Sequence, residues 1–291
     1  MALRPFDPHS DFTAIGEFLT GLYLPGNRDG NWFSPVWEYA YTHPWFDDCS
    51  TSRIGVWEEE GRIVAVVTYE FWLGEAFCHV HPNFEDLKPE MLNHAEAHLS
   101  KEDGTLHVFV CDFDSAFEAT VSSRGYERHA DCDRPMSEFV IPDPFPPIPL
   151  VEGFRLTTLA EENDLEKVGR VLHRGFDHPG ELPPGGVEEQ RRMQSGPNFR
   201  PELTMVAVGQ DGEFVSYCGM WFDAVNGFAY VEPVATDPDY RRRGLGRAVV
   251  LEGIRRCGEL GATAAYVGTD MPFYLSLGFR ALFTVNCWRR P

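Results

Sequence analysis

The residues best suited to chemistry lie between Tyr230 and Leu251. An apolar, β-branched run ends at Thr236, and a turn with Asp237, Pro238 and Asp239 follows. The chain then reads Arg241-Arg242-Arg243-Gly244-Leu245-Gly246-Arg247 and continues with a helical pattern. Gly244 and Gly246 carry no side chain, so a ligand can reach the backbone there. The first N–H groups of a helix have no internal partner, and the helix dipole favours an anion at that end. The four arginines add fixed positive charge with bidentate donors suited to phosphate oxygens. The pattern predicts a pyrophosphate cradle at a strand-to-helix turn. A nucleotide P-loop would need Gly-Lys-Ser/Thr, and no Lys, Ser or Thr follows Gly246; a dinucleotide fingerprint would need glycine where Val249 stands.

A second piece lies downstream, Phe273-Tyr274-Leu275-Ser276-Leu277-Gly278-Phe279. Arg-x-x-Gly-x-Gly after a strand resembles the acyl-CoA motif of the GCN5-related N-acetyltransferases (GNAT). The second piece resembles that family's aromatic-Tyr-x-x-x-Gly-Phe segment, in the expected order. The resemblance implies acetyl-CoA as co-substrate, held between two splayed parallel strands. It implies pantetheine contacts at Val234, Ala235 and Thr236, and diphosphate contacts at Arg241, Arg242, Arg243, Gly244, Leu245, Gly246 and Arg247. It also implies Tyr274 as the acid that protonates the departing sulfur and Glu232, on the strand before the cradle, as the base. Many relatives carry an Asn before the aromatic-Tyr helix. Here Gly268-Thr269-Asp270-Met271-Pro272 makes a short entry, with Asp270 as the expected helix cap.

These residues must be carried by ordered elements. In the second half, strands are expected at Thr204–Val208, Glu213–Phe222, Phe228–Ala235 and Ala264–Gly268, and a helix at Glu161–Phe176. The helix from Leu245 places Val250, Ile254, Cys257 and Leu260 on one face, with Gly261 free to end it. The segment from Arg174 to Pro201, with Phe176, Asp177, His178, Glu181 and Arg191, is the expected acceptor-side lid, joined by His173. His173 and His178 are five apart with no third ligand nearby, so no metal site is expected. Trp72 and Trp221 are assigned to the core.

Five prolines fall between Pro142 and Pro149. No helix or central strand continues through such a run. Residues 142–153 therefore read as a stiff linker between a domain at 1–141 and a catalytic domain at 154–291. The halves look duplicated. Gly61 and Gly212, Phe77 and Phe228, and Pro82 and Pro233 share one offset of 151, while Gly125 and Gly278 stand 153 apart. The offset puts Arg241 on Glu90, Gly244 on Asn93 and Gly246 on Ala95, so the first copy lacks the glycine motif. Its expected strands are Ile54–Trp57, Arg62–Phe71, Phe77–His81 and Leu106–Cys111, after a helix at Asp11–Leu22. The expected fold is α/β (α+β): two tandem GNAT-like domains, each a mixed, mostly antiparallel twisted sheet flanked by helices.

Composition bounds the rest. The chain has 291 residues, 43% hydrophobic and 24% charged, with a net charge of −20. That charge argues against a general nucleic-acid surface. Positive charge is concentrated from Arg241 to Arg256, with six arginines and one acid, Glu252. The acidic remainder serves solubility first, and it would also draw a cationic acceptor. There is no apolar run long enough for a membrane span and no apolar signal core. Seven scattered cysteines without a C-x-x-C pair read as reduced thiols in a cytoplasmic protein. The expected function is acetyl-CoA-dependent N-acetyl transfer to the primary amine of a small molecule by direct attack in a ternary complex. A CoA-binding regulatory module without turnover and a mycothiol-synthase-like tandem enzyme are the alternatives. A homodimer is among the expected assemblies.

Overall fold

A computed structural model describes residues 1–290. The chain forms two compact units. Unit 1 comprises Met1–Met136 and the chain from Ala281 onward; unit 2 comprises Ser137–Arg280.

Unit 1 begins with β1 (Ala2–Pro5), α1 (Pro8–Leu22) and α2 (Ser34–Thr42). Asp7 caps α1 by accepting the His9 N–H, and Pro8 occupies the first turn, where its missing N–H costs nothing. Ile15, Leu19 and Leu22 then recur at helical spacing on its buried face. The hairpin strands β2 (Gly55–Glu59) and β3 (Arg62–Thr68) follow, then β4 (Glu75–Val80), α3 (Lys88–His98), β5 (His107–Cys111), α4 (Ser115–Ser123) and β6 (Glu127–Arg128). β7 (Arg134–Val140) leaves unit 1 at Ser137. In sheet order β1, β2, β3 and β4 are antiparallel neighbours, and β4 and β5 run parallel. The core gathers Trp37, Trp57, Val66, Met91, Leu92 and Val108.

Unit 2 contains β8 (Arg155–Thr158), α5 (Leu165–Gly175), α6 (Gly186–Met193), β9 (Met205–Val208), β10 (Phe214–Asp223), β11 (Phe228–Thr236), α7 (Leu245–Glu259), β12 (Ala264–Val267) and α8 (Pro272–Leu277). Its sheet order is β7, β12, β11, β10, β9, β8, and only β11 and β12 pair in parallel. Helices cover both faces. On one, Val249, Val250, Ile254 and Cys257 of α7 join a core with Cys218, Met220, Ala229 and Val231. On the other, Val168, Val171 and Leu172 of α5 meet Val206, Tyr217 and Ala235.

The units are not two halves cut at the proline-rich stretch. Ser137–Val140, which precede it, pair with β12 in unit 2. β13 (Arg280–Arg289), which ends the chain, pairs with β5 and β6 in unit 1 from Val285 onward. Each half-sequence thus gives its last strand to the other unit's sheet, and the boundaries expected at 141 and 154 shift accordingly. Two smaller expectations also change. Leu260 closes α7 at its end and is 47% exposed, outside the apolar stripe. Trp72 is 43% exposed, beside Trp45 and Phe71, whereas Trp221 is buried. Trp72 lies beyond the end of β3, so the sheet pleat does not turn it inward.

Candidate active site

β11 and β12 pair from Phe228↔Ala264 to Tyr230↔Tyr266 and then part. β11 continues to Thr236, so its edge beyond Tyr230 meets no residue of β12 in the ladder. The two parallel strands are thus splayed beyond Tyr230. On the opposite edge the register with β10 shifts between Cys218 and Met220, which face Val234 and Val231. Glu232 and Pro233 therefore stand opposite Gly219 alone, forming a β-bulge. A Cβ on Gly219 would overlap the Glu232 carbonyl oxygen. The Trp221 indole N–H donates to that same oxygen at 3.0 Å and fixes the bulge from the side.

The strand then runs into the cradle. Ala235 is buried, Val234 is partly buried against the core, and the Thr236 hydroxyl meets Ser216 Oγ at 2.8 Å. Asp237 closes the turn by accepting the Asp239 N–H at 2.9 Å. The Arg174 guanidinium, at the end of α5, holds both Asp237 oxygens at 2.5 and 3.1 Å and reaches Asp239 at 2.7 Å. Burial alone would raise the Asp237 pKa; the Arg174 bonds and the Asp239 N–H outweigh it and hold the carboxylate below its ordinary range.

Arg242 and Gly244 both take left-handed backbone conformations, with φ of 63° and 80°. Gly244 does so without cost, and its carbonyl accepts the first α7 bond, from the Ala248 N–H. A Cβ on Gly246 would lie 3.1 Å from Thr236 Oγ1 and 3.3 Å from the Phe273 ring. The arginines divide by role. Arg241 turns back to the Thr236 and Gly175 carbonyls at 3.1 and 2.8 Å and pairs with Asp177 at 3.0 Å. Arg243 lies over the Tyr240 ring and donates to the Asp239 carbonyl, while Arg247 donates to the Ser276 carbonyl on α8. Arg241, Arg242, Arg243 and Arg247 are all exposed at the start of the 15-residue α7.

α8 carries Tyr274, which is 8% exposed and packed edge-on against Phe273 and Phe279. Burial, then the charge of Glu232, pushes the Tyr274 pKa far above the ordinary phenol value. Tyr274 is therefore a neutral O–H donor at physiological pH, and it feels the Glu232 carboxylate directly. Asp270 does not cap α8. The cap position is Met271, whose N–H goes to Thr269 Oγ1 at 3.2 Å.

Unit 2 thus gathers the expected strand residues, cradle, Glu232 and Tyr274 along one end of its sheet. The lid residues are spread more widely. Arg191 pairs with Glu188 on the surface of α6, and the rings of His173 and His178 lie 5.3 Å apart. Sequence reading missed Gly219, Ser216 and Arg174. The Arg174–Asp237 bond spans 63 positions, and no local spacing announces it.

The profile of the Acetyltransferase (GNAT) family matches residues 172–279, which contain this whole arrangement. That stretch belongs to the GNAT acetyltransferase family. A mycothiol acetyltransferase of Propionibacterium freudenreichii subsp. shermanii is 31% identical over 121 residues, covering 40% of this chain and 37% of that protein. The match therefore spans little more than a third of that relative's length. Among solved structures, a GCN5-related N-acetyltransferase from Sphaerobacter thermophilus aligns with a TM-score of 0.63 at 18% identity, over 100% of this chain and 96% of its own. A tandem GNAT protein from the clavulanic acid biosynthesis pathway aligns with a TM-score of 0.66 at 16% identity, over 99% and 97%. Both likenesses extend the fold over the full chain, and the second of these neighbours is a tandem protein.

Unit 1 keeps the GNAT strand plan and loses the cradle. Its offset from unit 2 is 151 up to Pro82 and Pro233, but helix starts Lys88 and Leu245 are 157 apart. Counted from the matching prolines, the helix of unit 1 therefore begins six residues sooner. Glu90, Asn93 and Ala95, expected opposite the glycine motif, lie inside α3. Glu90 accepts the Trp57 indole N–H at 2.9 Å. The opening between β4 and β5 is also filled from within. Their pairing stops at Phe77↔Phe109, and Asn31 accepts the Val80 N–H at 2.9 Å and donates to the Val80 carbonyl at 3.4 Å. A side-chain amide of the chain itself thus occupies the backbone groups of β4 just beyond its parallel pairing.

Proposed function

We propose that this protein is an acetyl-CoA-dependent N-acetyltransferase acting on the primary amine of a small molecule in a ternary complex, with its working site in unit 2. One observation carries the reading: β11 parts from β12 after Tyr230 and runs through Glu232 directly into the glycine–arginine cradle, with the buried Tyr274 phenol beside it. The chain's residues fit acetyl-CoA, which supplies an activated thioester when bound. Backbone groups of Val234, Ala235 and Thr236 bind the pantetheine amides, and the N-terminal amides of α7 bind the diphosphate with Arg242, Arg243 and Arg247. Arg241 braces the loop through Gly175 and Asp177.

An ammonium has no lone pair, so Glu232 takes the proton of the acceptor amine, directly or through a water. Its place on a bulge turns the carboxylate out of the regular pleat. An N–H of Val234 or Ala235 stabilises the developing oxyanion. Tyr274, kept neutral by burial, gives its proton to the departing sulfur. The net charge of −20 attracts a cationic amine. The free cysteines fit a reducing, cytoplasmic setting. Unit 1, without the glycine motif and with the Asn31 bridge, binds no acyl-CoA.

The test is calorimetric titration with acetyl-CoA, followed by thiol release with a panel of amines. One site per chain and turnover with at least one amine are expected. Tight binding without release of CoA by any amine would replace the enzyme reading with that of a CoA-binding module. A second reading, an acceptor like that of the mycothiol acetyltransferase, rests on the 31% identical relative and belongs in the same panel.

A further inference from the structure

Cys132 and Cys287 are 155 positions apart, yet their sulfurs lie 2.6 Å from one another. Cys132 ends the short turn Ala130–Cys132, and Cys287 lies in β13, both in unit 1. Backbone bonds bracket the pair. The His129 N–H donates to the Cys287 carbonyl at 2.8 Å, and the Cys287 N–H donates to Asp133 Oδ1 at 3.0 Å. Cys287 is fully buried beside the stacked Phe77 and Phe109 rings, and Cys132 is partly exposed.

We propose that Cys132 and Cys287 form a reversible disulfide that fastens the chain's last strand into unit 1. His107 also lies within 4.8 Å of both sulfurs, so the three residues have a metal-capable composition. One geometric observation favours the disulfide. Thiolates on one tetrahedral zinc ion stand about 3.8 Å apart for bonds of about 2.3 Å, well beyond the separation here. Burial and the neighbouring Cys132 raise the Cys287 pKa, and Asp133 adds to this against the charge of Arg134, so Cys287 is a neutral thiol until its proton is drawn off.

The oxidant is a low-molecular-weight disulfide, RSSR. The Cys132 thiolate attacks one sulfur of RSSR, forming a mixed disulfide and releasing one RS⁻, which takes up a proton. The Cys287 sulfur, on loss of its proton, then attacks Cys132 Sγ and expels the second RS⁻. Two thiols are oxidised, RSSR is reduced to two RSH, and the two cysteine protons end on the leaving thiols.

The test treats the full chain with oxidised glutathione, blocks remaining thiols with iodoacetamide, and maps peptides by mass spectrometry in a Cys49→Ser background that lacks the exposed thiol. A linked Cys132–Cys287 peptide, reversible by dithiothreitol, and a raised melting midpoint are expected. Cys287→Ser should instead accumulate Cys132 as its glutathione adduct, and Cys132→Ser should give neither product and no melting shift. The proposal is overturned if the chain with both cysteines stops at the glutathione adduct or leaves both thiols alkylated after denaturation. It is equally overturned if the purified chain carries one zinc ion that Cys132→Ser removes.

Discussion

Gly219 and Glu232 face each other across β10 and β11 with no space for a side chain between them. The bulge that presents the Glu232 carboxylate therefore depends on a residue of the neighbouring strand. Gly219→Ala must push β11 away or flatten the bulge. The expected cost is about 1–3 kcal/mol of stability. A fall of tenfold or more in kcat should accompany it, because a displaced base loses its alignment. Thermal unfolding and steady-state kinetics check both; an unchanged kcat in a folded variant would remove Glu232 from the chemistry.

Tyr274→Phe keeps the ring that packs on Phe273 and Phe279 and removes only the hydroxyl. A loss of about 10²–10³ in kcat is expected, in the usual range for a general acid, with acetyl-CoA affinity held within a few-fold. Because the phenol's pKa lies far above the ordinary value, the native enzyme should show no alkaline loss of rate from this residue up to about pH 10. A pH–rate profile with a tyrosine-dependent limb below that point would contradict the assignment.

Gly246→Val places branched carbons against Thr236 Oγ1 and Phe273, where even a single Cβ fits tightly. The cradle narrows while the α7 core stays intact. Calorimetry should show acetyl-CoA affinity reduced by tenfold or more, a change of about 1.4 kcal/mol or greater. A variant that binds as tightly as the parent would place the diphosphate elsewhere.

His79 is 3% exposed in unit 1; burial lowers its pKa from 6.5 to about 3, and its Nδ1 accepts the Trp32 N–H at 3.3 Å. Between those values the unfolded chain binds a proton that the native chain refuses. Stability contributed by His79 is therefore complete above about pH 6.5 and falls as pH drops, by at most about 1.4 kcal/mol per pH unit. Urea midpoints at pH 7 and about pH 5.5 should differ in the native chain and differ less in His79→Gln. Equal differences would show that His79 is protonated in the fold.

The parts of this molecule legible in the sequence are those written locally. Gly244, Gly246 and their arginines are adjacent, so the cradle could be read from one short stretch. The helices expected from Asp11 and Glu161 begin at Pro8 and Leu165, after the caps Asp7 and Asp164, so their existence was legible and their first turns were not. Glu232 was legible through its place before the motif, but Gly219 was not, since only the fold sets the two opposite each other. Arg174 and Asp237 meet for the same reason. In unit 1 the constant offset was sound through Pro82 and failed beyond it, because a six-residue gap is invisible until the helix starts are known. Asn31 mimics a strand partner with a side chain, and no periodicity signals that.

The crossing-over of the terminal strands has a further consequence for how the polypeptide can be divided. A protease nick in the proline-rich stretch would yield an amino-terminal fragment whose residues 137–140 belong to the other unit's sheet, and a carboxy-terminal fragment whose last strand belongs to the first. Neither piece could finish its own fold, and each would hold what the other lacks. Genetic truncation to either half removes a border strand from the sheet that remains.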